Sequence, residues 1–580
     1  MVRRRLGLYW HTLRHLRPVQ FYGRLWFRLA RPRPDLRPAP PLRPVLEVWR
    51  EPARRESSLV GPETFFFLNV PGALAEVGWD GPEREKLWRY NQHYFDDLNA
   101  RDCAARVDWH RALLVDWVVR NPSAGGNGWE PYPTSLRIVN WVKWALAGNV
   151  LPEPCVHSLA VQARWLARRL EIHLLGNHLF ANAKALVFAG LFFEGREAAG
   201  WLRTGLGILG RELPEQVLAD GGHFERSTMY HALALEDLLD LCNVAGCYPQ
   251  ALGEAGAAQL AEWGRQVPKM LVWLGAMCHP DGEIGFFNDA ALGIAPAPVE
   301  LQAYAERLGL GETEQGDAEE GRAVPAAQWL LPSGYVRLHA GEAVALLDLA
   351  PIGPDYLPGH AHADTLSFEL SVGHHRLLVN SGTSCYGLGA ERLRQRSTAA
   401  HNTVVVGDAD SSEVWGGFRV ARRARVLRPE VRTEEGVLVR GAHDGYTRLP
   451  GRPVHERCWQ MDADGLTVTD TVSGDRFSAE ARFHFHPDVL LQANSAAGGV
   501  AVLPGGREVR WRVTEGEARL ERSTWHPRFG ESLANQCLVI QLKKGDRFIF
   551  DQSKNKSVPF SCGCLRLEWG QLSESEQFDG

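Results

Sequence analysis

The sequence lacks any apolar run of about 18 residues, the length that would cross a membrane as a helix. It also lacks a clear signal peptide. His11 and Arg14 interrupt the apolar stretch that follows the arginine cluster at residues 3–5, and no small-residue cleavage site comes after it. We therefore predict no transmembrane segment, and both the bacterial cytoplasm and the periplasm remain open as the location.

Paired cysteines and a strong charge of one sign are missing as well. The ten cysteines are scattered and only Cys562 and Cys564 lie close together, which argues against a disulfide scaffold or a paired-cysteine zinc site. The net charge of -5 gives no electrostatic reason to expect nucleic acid as a partner. The phosphate-binding loop, the dinucleotide-binding fingerprint and the serine-hydrolase elbow are also missing from the sequence.

What is present is a change of hydrophobic period along a chain too long for one core. Residues 60–305 show helical apolar spacing with short loops, which indicates paired helices wound into an (α/α) toroid. Residues 306–328 are acidic and polar and are interpreted as a linker. Residues 329–580 alternate with period two between Gly-rich turns, which predicts an antiparallel β-sandwich. Residues 1–59 form a basic, aromatic arm that packs on the body or contacts a membrane or an anionic glycan.

The richest polar segment, residues 359–364, lies at the start of a predicted strand. His360, His362 and Asp364 alternate in sequence, so their side chains should point to one face. Two imidazoles and a carboxylate would be costly as core filler, and they suit zinc or a similar ion. A solvated strand edge is the structural alternative. Asn380 and His401 flank neighbouring strands and are expected beside His362, although His401 alone is more typical of a turn.

Polar side chains also precede two helices of the first half. Asn177 and His178 come before an apolar helix, where Asn is a common cap. Glu225, Tyr230 and His231 crowd the start of a later helix. Tyr230 is either a packing residue with a solvated hydroxyl or an acid or base.

Two further residues suit an acidic sugar. Trp129 offers an aromatic face and Arg137 a guanidinium that can bind a carboxylate. Packing between helices would explain Trp129 about as well as binding to a sugar would. A glycosidase that uses paired carboxylates stays open, and its candidates are Glu225, Asp281, Glu283 and Asp289.

Taken together, these segments resemble the heparinase II/III-like family of polysaccharide lyases from about residue 85 to 560. The matching pieces are Gly176-Asn177-His178, Ser227-Thr228-Met229-Tyr230-His231, Gly359-His360-Ala361-His362-Ala363-Asp364, Asn380-Ser381-Gly382-Thr383 and Ala400-His401-Asn402-Thr403. The resemblance implies an (α/α) toroid followed by an antiparallel β-sandwich. It also implies an acidic, uronate-containing polysaccharide as the substrate and β-elimination as the reaction.

The resemblance implies a role for each matched residue. Asn177 would neutralise the uronate carboxylate. Tyr230 would act as the acid, or as both base and acid, and His360 as the base or a second neutralising group. The remaining candidates would contact the substrate: His178, Arg137, Trp129, Glu225 and His231.

In relatives that hold a metal, the ligands match His362, Asn380 and His401. Asn380 replaces the usual acid, and a neutral amide binds a divalent ion less strongly than a carboxylate does. A single zinc or calcium ion at this site would have a structural role and would steady the loop that carries His360. The basic arm resembles members associated with bacterial exopolysaccharide. The open alternatives are a glycoside hydrolase on the same toroid and a non-catalytic protein for glycan binding or assembly.

Overall fold

The computed structural model describes residues 2–311, 326–434, 436–474, 476–551 and 556–569. A helical N-terminal half is followed by a C-terminal half of antiparallel sheets, which confirms the predicted fold class. Most of the predicted linker at residues 306–328 lies outside the described residues. The last helix before it ends at Arg307, and the first strand after it begins at Ala327.

The helices of the described residues fall mainly in the first half. They are α1 (Val2–Leu13), α2 (Pro18–Leu29), α3 (Leu74–Val77), α4 (Lys86–Tyr94), α5 (Val107–Arg120), α6 (Pro131–Leu146), α7 (Glu153–Ala167), α8 (Gly176–Phe192), α9 (Gly195–Gln216), α10 (Thr228–Cys247), α11 (Pro249–Ala276), α12 (Pro298–Arg307) and α13 (Ala390–Arg396). Helix α8 is apolar and buried on nearly all sides, as a helix inside a larger helical layer should be. It packs against α6, α7, α9 and α10.

The strands are antiparallel to their neighbours. They are β1 (Leu59–Gly61), β2 (Thr64–Phe67), β3 (Val70–Ala73), β4 (Ala327–Leu330), β5 (Tyr335–Ala340), β6 (Ala343–Asp348), β7 (Phe368–Val372), β8 (His375–Leu378), β9 (Val404–Val406), β10 (Val414–Trp415), β11 (Arg419–Val420), β12 (Val426–Arg432), β13 (Val437–His443), β14 (His455–Met461), β15 (Gly465–Ser473), β16 (Ala479–His484), β17 (Leu490–Ser495), β18 (Gly498–Val502), β19 (Glu508–Glu515), β20 (Glu517–Trp525), β21 (Leu533–Gln541), β22 (Lys543–Asp551) and β23 (Lys556–Glu568).

Three sheets form the body of the C-terminal half. One follows the order β4-β5-β6-β7-β8, and a second follows β20-β21-β16-β9. The largest follows β12-β13-β14-β15-β23-β19-β18-β17, with β22 paired to β23. Apolar side chains of these sheets share one buried cluster, which is the core of a sandwich. The structure departs from the predicted bounds in two places. The small β1-β2-β3 sheet lies between α2 and α3, mostly inside residues 60–305, which the sequence predicts as helical, and β4 begins at Ala327, inside the predicted linker.

The two halves meet through a shared apolar cluster and buried polar bonds. Trp273 of α11 and Met277, which follows that helix, are buried together with Tyr335 and Leu346 of the second half. Beside them, both ring nitrogens of His279 bond to side chains of β7, one of them to Glu369 at 2.9 Å. The halves are therefore packed as one body with a cleft between them.

Helices α1 and α2 of the arm lie on different halves. In α1, Thr12 receives a hydrogen bond from the indole of Trp415 at 3.0 Å, so this helix lies on the β10-β11 hairpin. In α2, the ring of Phe27 packs on His173 of the helical half, with 4.6 Å between ring centroids. Within the described ranges, none of the helices combines the length and apolar character that a membrane span requires.

Candidate active site

A cavity of about 1610 Å³ lies between the two halves. Its walls combine residues that are far apart in sequence. The helical half contributes Lys86, Tyr90, Trp129, Asn177, His178 and Tyr230, and the second half contributes His360, Tyr386, Arg392 and Phe418. The three residues predicted to be catalytic therefore line one cavity.

Asn177 and His178 occupy the first turn of α8, where the backbone is unusual. Leu175 and Gly176 both have positive φ angles, of 63° and 52°. A side chain at Gly176 would meet Leu357 at 2.4 Å, so only glycine fits this turn. Positive φ at the non-glycine Leu175 costs energy, and such residues cluster at functional sites. The turn directs Asn177 into the cavity.

His178 is held by an acidic neighbour. Its Nδ1 lies 3.2 Å from the Glu171 carboxylate, and its ring packs on Tyr132 with centroids 4.5 Å apart. Burial lowers the pKa of His178, but the charge of Glu171 and its hydrogen bond outweigh burial and raise it above the ordinary value. His178 thus favours a positive charge beside Asn177, which suits an anionic sugar.

Tyr230 lies in the first turn of α10, where the Ser227 hydroxyl caps the helix by accepting the Tyr230 backbone N–H at 3.1 Å. The phenol ring stacks on His360 with 3.9 Å between centroids. Its hydroxyl lies 3.0 Å from the Tyr386 hydroxyl. Burial, followed by the proximity of Tyr386 and Asp289, raises the pKa of Tyr230 well above its usual range. The phenol is therefore protonated in the free protein and can act as an acid.

His360 is oriented by a buried carboxylate. Its Nδ1 lies 2.9 Å from Asp289 Oδ2, while Asp289 also binds the Arg392 guanidinium and His362. Burial opposes ionisation of Asp289, but Arg392 and the histidine hydrogen bonds hold its pKa well below the usual range. Because an ionised carboxylate only accepts hydrogen bonds, Nδ1 of His360 carries the hydrogen. In the neutral form of the ring, the lone pair is then on the other nitrogen, Nε2.

Glu225 is the least satisfied polar group near the site. Both carboxylate oxygens are buried and neither has a hydrogen-bond partner among the described residues. The closest charged neighbour is His360, whose Nε2 lies 3.8 Å from Glu225 Oε2. Burial raises the pKa of Glu225, and the nearby His360 and His178 oppose that rise only in part. Glu225 does not line the cavity, which does not fit the predicted substrate contact.

Two other predicted substrate contacts also lie away from the cavity. Arg137 is fully buried, donates to Gln162 at 2.9 Å and stacks on Trp117. His231 is buried with its Nε2 2.9 Å from the Met270 carbonyl oxygen. These bonds stabilise the helical half, so the positions of Arg137 and His231 correct the prediction that they touch substrate.

Asp289, Arg392 and Tyr386 are site residues that sequence reasoning did not assign. From the sequence, Asp289 is a candidate only for the paired carboxylates of a glycosidase. Its neighbour Asn288 has a positive φ of 58°, and the turn directs Asp289 between the two histidines. Arg392 and Tyr386 belong to no recognisable motif, and only the fold brings them to His360.

His362 and His401 face each other in a way that suits a cation. His362 Nε2 bonds the ionised Asp289 and His401 Nδ1 bonds the Ser397 carbonyl oxygen, so both of these nitrogens must carry hydrogen. Burial lowers the pKa of His362 to about 4 and also lowers that of His401, so neither ring favours a second proton. Two lone pairs therefore meet at 3.0 Å, which a bound cation would resolve.

The third candidate ligand beside these two histidines is the carboxylate of Asp364 and not the amide of Asn380. The candidate ligand atoms of His362, Asp364 and His401 all lie within 4.8 Å of one another. The Asn380 amide instead donates to the Phe286 carbonyl oxygen, and its oxygen accepts the Asn402 N–H. The position of Asn380 therefore corrects the predicted ligand set. Two imidazoles and a carboxylate fit zinc better than calcium, which prefers oxygen ligands.

Comparison with known proteins agrees with this architecture. The family model described as Heparinase II/III N-terminus matches residues 111–305, and the one described as Heparinase II/III-like, C-terminal, matches residues 322–561. The chain belongs to the heparinase II/III-like family. Among solved structures, it resembles heparinase III with a TM-score of 0.62 and 18% identity, over 84% of this chain and 77% of that one. At this identity the likeness establishes the fold alone.

Two curated relatives differ in how much of their own length this chain covers. A heparin-sulfate lyase of Bacteroides stercoris is 26% identical over 57% of this chain and 55% of its own length, so the chain spans about half of that relative. The FtsZ-localized protein C of Caulobacter vibrioides is 27% identical over 93% of this chain and 94% of its own length.

Proposed function

We propose that this member of the heparinase II/III-like family is a polysaccharide lyase that cleaves a uronate-containing chain by β-elimination. One observation carries the proposal. Tyr230, with a protonated phenol, packs against His360 with 3.9 Å between ring centroids, in a cavity that Asn177 also lines. An amide, an imidazole and a phenol are the groups that β-elimination needs. The name of the Bacteroides stercoris relative, a heparin-sulfate lyase, supports the same reaction.

The proposed reaction uses no water and leaves a double bond. Asn177 donates a hydrogen bond to the uronate carboxylate and stabilises the negative charge that develops when C5 loses its proton. His360 Nε2 accepts that proton. The electron pair of the C5–H bond forms the C4–C5 double bond, the C4–O4 bond breaks, and Tyr230 gives its proton to the leaving O4.

The site supports hydrolysis less well. A glycosidase needs one carboxylate that can activate water and a second that can protonate the leaving group. Asp289 is fully buried and its oxygens are engaged by Arg392, His360 and His362. Glu225 is also buried, and neither it nor Asp289 lines the cavity. Of the other two candidates, Asp281 pairs with Arg376, and Glu283 is the one of the four that lines the cavity wall. The four candidates therefore do not place a pair of carboxylates on the cavity.

The decisive experiment follows formation of the 4,5-unsaturated uronate by its ultraviolet absorbance, using a panel of uronate polymers. Tyr230→Phe should lower kcat by about a hundredfold or more, because it removes the general acid. Tyr248→Phe is the matched control, since it removes a buried hydroxyl that has no partner among the described residues. Reducing ends released without that absorbance, or full activity of Tyr230→Phe, would reject the lyase.

A second candidate rests on the relative that matches along almost the whole chain and is named for its localisation to FtsZ. In that case the protein would associate with FtsZ and bind a glycan without cleaving it. Purified protein should then bind polymerised FtsZ and give no turnover on any uronate polymer. Turnover that Asn177→Ala abolishes would exclude the non-catalytic form of this candidate.

We further propose that His362, Asp364 and His401 hold one zinc ion with a structural role. When bound, zinc would join the segment that carries His360 to the segment that precedes β9. Metal analysis should find one zinc per chain, and a chelator should lower the melting temperature. His401→Ala should lose the zinc, whereas Asn380→Asp should retain it. Protein without metal and insensitive to chelator would reject this site. A role in exopolysaccharide metabolism stays a prediction.

A further inference from the structure

Each of the two helices of the arm carries a row of exposed apolar side chains. In α2 these residues are spaced as i, i+1, i+4, i+5 and i+8, which places them on one side of a helix. They are Phe21, Tyr22, Leu25, Trp26 and Leu29. In α1 the corresponding residues are Leu6, Tyr9, Trp10 and Leu13. Trp10 and Trp26 are 66% and 65% exposed, and Leu29 is 70% exposed.

The opposite faces of both helices are used to hold the arm in place. Gln20 donates to the Tyr356 carbonyl oxygen, and Gly23 lies so close to His173 that a side chain would meet it at 3.0 Å. Arg169 donates to the carbonyl oxygens at the end of α2, including that of Phe27 at 2.7 Å. The inner face of α2 is thus docked, and its outer apolar residues remain exposed. In α1, Tyr9 packs edge-on against Trp415 with ring centroids 4.9 Å apart, while Leu6 and Trp10 remain exposed.

The acidic and basic side chains of residues 1–34, which include both helices, have one sign of charge. Residues 1–34 contain nine arginines and no Asp or Glu. On α2, Arg24 and Arg28 are exposed and flank the apolar row along its length, and Arg14 lies exposed in the turn before α2. Alternating rings, aliphatic chains and guanidinium groups are the pattern of a helix that lies in the interface of an anionic membrane.

We infer that α1 and α2 dock the protein on an anionic lipid bilayer. Each helix has 12 residues, about 18 Å long, which is shorter than a hydrocarbon core of about 30 Å. The helices therefore lie along the surface with Trp10, Trp26 and Leu29 among the acyl chains. A soluble anionic glycan would match the arginines, but it offers nothing to cover exposed Leu25 and Leu29. Lipid accounts for both the charge and the aliphatic groups.

This docking has a consequence for the cavity. Phe27 of α2 lines the cavity wall together with Arg169 and His173, so the arm lies at its rim. A bilayer bound to the outer face would hold the cavity mouth beside the membrane. The protein would then meet its polymer at the surface rather than in bulk solution.

The test is co-sedimentation of the full chain with vesicles of phosphatidylglycerol and phosphatidylcholine, and with vesicles of phosphatidylcholine alone. The protein should sediment with the first and much less with the second. Combining Leu25→Ser, Trp26→Ser and Leu29→Ser should abolish sedimentation. Arg24→Gln with Arg28→Gln should weaken it by about tenfold or more, and added salt should do the same.

Val119→Ser with Val150→Ser is the matched control, because these side chains are 76% and 77% exposed on the same half but outside the arm. The control should sediment like the wild type, and all variants should keep the wild-type melting temperature. No sedimentation with anionic vesicles would overturn the proposal. So would equal sedimentation of the serine triple variant, or binding through the arm to heparan sulfate without any binding to lipid.

Discussion

At the scale of single residues, the site depends on how burial acts on each titratable group. Tyr230 and Glu225 are both buried, and burial favours the neutral form of each. Asp289 is buried as deeply but stays ionised, because Arg392 and two histidines surround it. One carboxylate thus orients His360, while the other has no hydrogen-bond partner among the described residues. The difference between them comes from their neighbours and not from their residue type.

Glu225→Gln should stabilise the protein at neutral pH. Burial raises the pKa of Glu225, so the folded state holds its proton more tightly than the unfolded state, whose pKa is about 4.3. Below that pH the carboxyl of Glu225 is protonated in both states and does not lower the free energy of unfolding. As pH rises towards the folded pKa, the wild type loses stability. The variant should therefore be more stable by about 1–3 kcal/mol near neutral pH.

Thermal unfolding measured from acidic to neutral pH checks this prediction. The difference in melting temperature between variant and wild type should widen as the pH rises from about 4. Glu254→Gln, at an exposed position of α11, serves as the control and should change little at any pH. A variant less stable than the wild type at neutral pH would mean that the Glu225 carboxylate has a favourable partner.

At the scale of secondary structure, the hydrophobic period predicted the change from helices to strands, because amphipathic segments carry their own spacing. The period did not identify every strand: β12 has no buried residue, so its sequence shows no clean alternation of apolar and polar residues. The start of α8 and the segment at residues 359–364 were recognisable because each is a local motif. Helix α13 was not recognised, since Arg392 acts only through contacts that folding creates.

Arg392→Lys tests the contribution of α13 to the site. The guanidinium of Arg392 binds Asp289 with two nitrogens and also donates to the Gly417 carbonyl oxygen at 3.1 Å. A lysine ammonium cannot reproduce this fork. The variant should lose about 1–3 kcal/mol of stability. Activity should fall as well, because Asp289 would hold His360 less firmly.

Arg394→Lys is the control on the same helix. Its guanidinium is partly exposed and pairs with Glu391, so the change should cost less than about 1 kcal/mol. Urea unfolding of both variants, together with kcat on a uronate polymer, provides the comparison. Equal stability of the two lysine variants would show that α13 does not fix Asp289.

At the scale of the whole molecule, the cavity exists only because the two halves pack against each other. Tyr230 and Asn177 belong to one half, and His360 belongs to the other. The sequence predicted both halves and candidate catalytic residues on each, but not the residues that join the halves, because those residues are separated by long stretches of chain. His279 and Glu369, for example, are 90 positions apart and were not assigned any role.

Glu369→Gln should therefore destabilise both halves together. The buried carboxylate of Glu369 accepts bonds from His279, from the Phe286 N–H at 2.8 Å and from the Asn380 N–H at 2.7 Å. A glutamine amide has only one accepting oxygen and would leave at least one buried donor unpaired, which costs about 1–3 kcal/mol or more. Loss of that contact should weaken the helical half as well as the sheets.

Hydrogen exchange and limited proteolysis would show where the Glu369→Gln variant opens. If the halves form one cooperative unit, protection should fall in α11 and in β5 to β7 at the same time, with one thermal transition. Glu456→Gln, on the half-exposed surface of β14, should leave both halves protected. Two separate transitions, with α11 still protected, would mean that each half holds its own structure and that the cleft can open without unfolding either one.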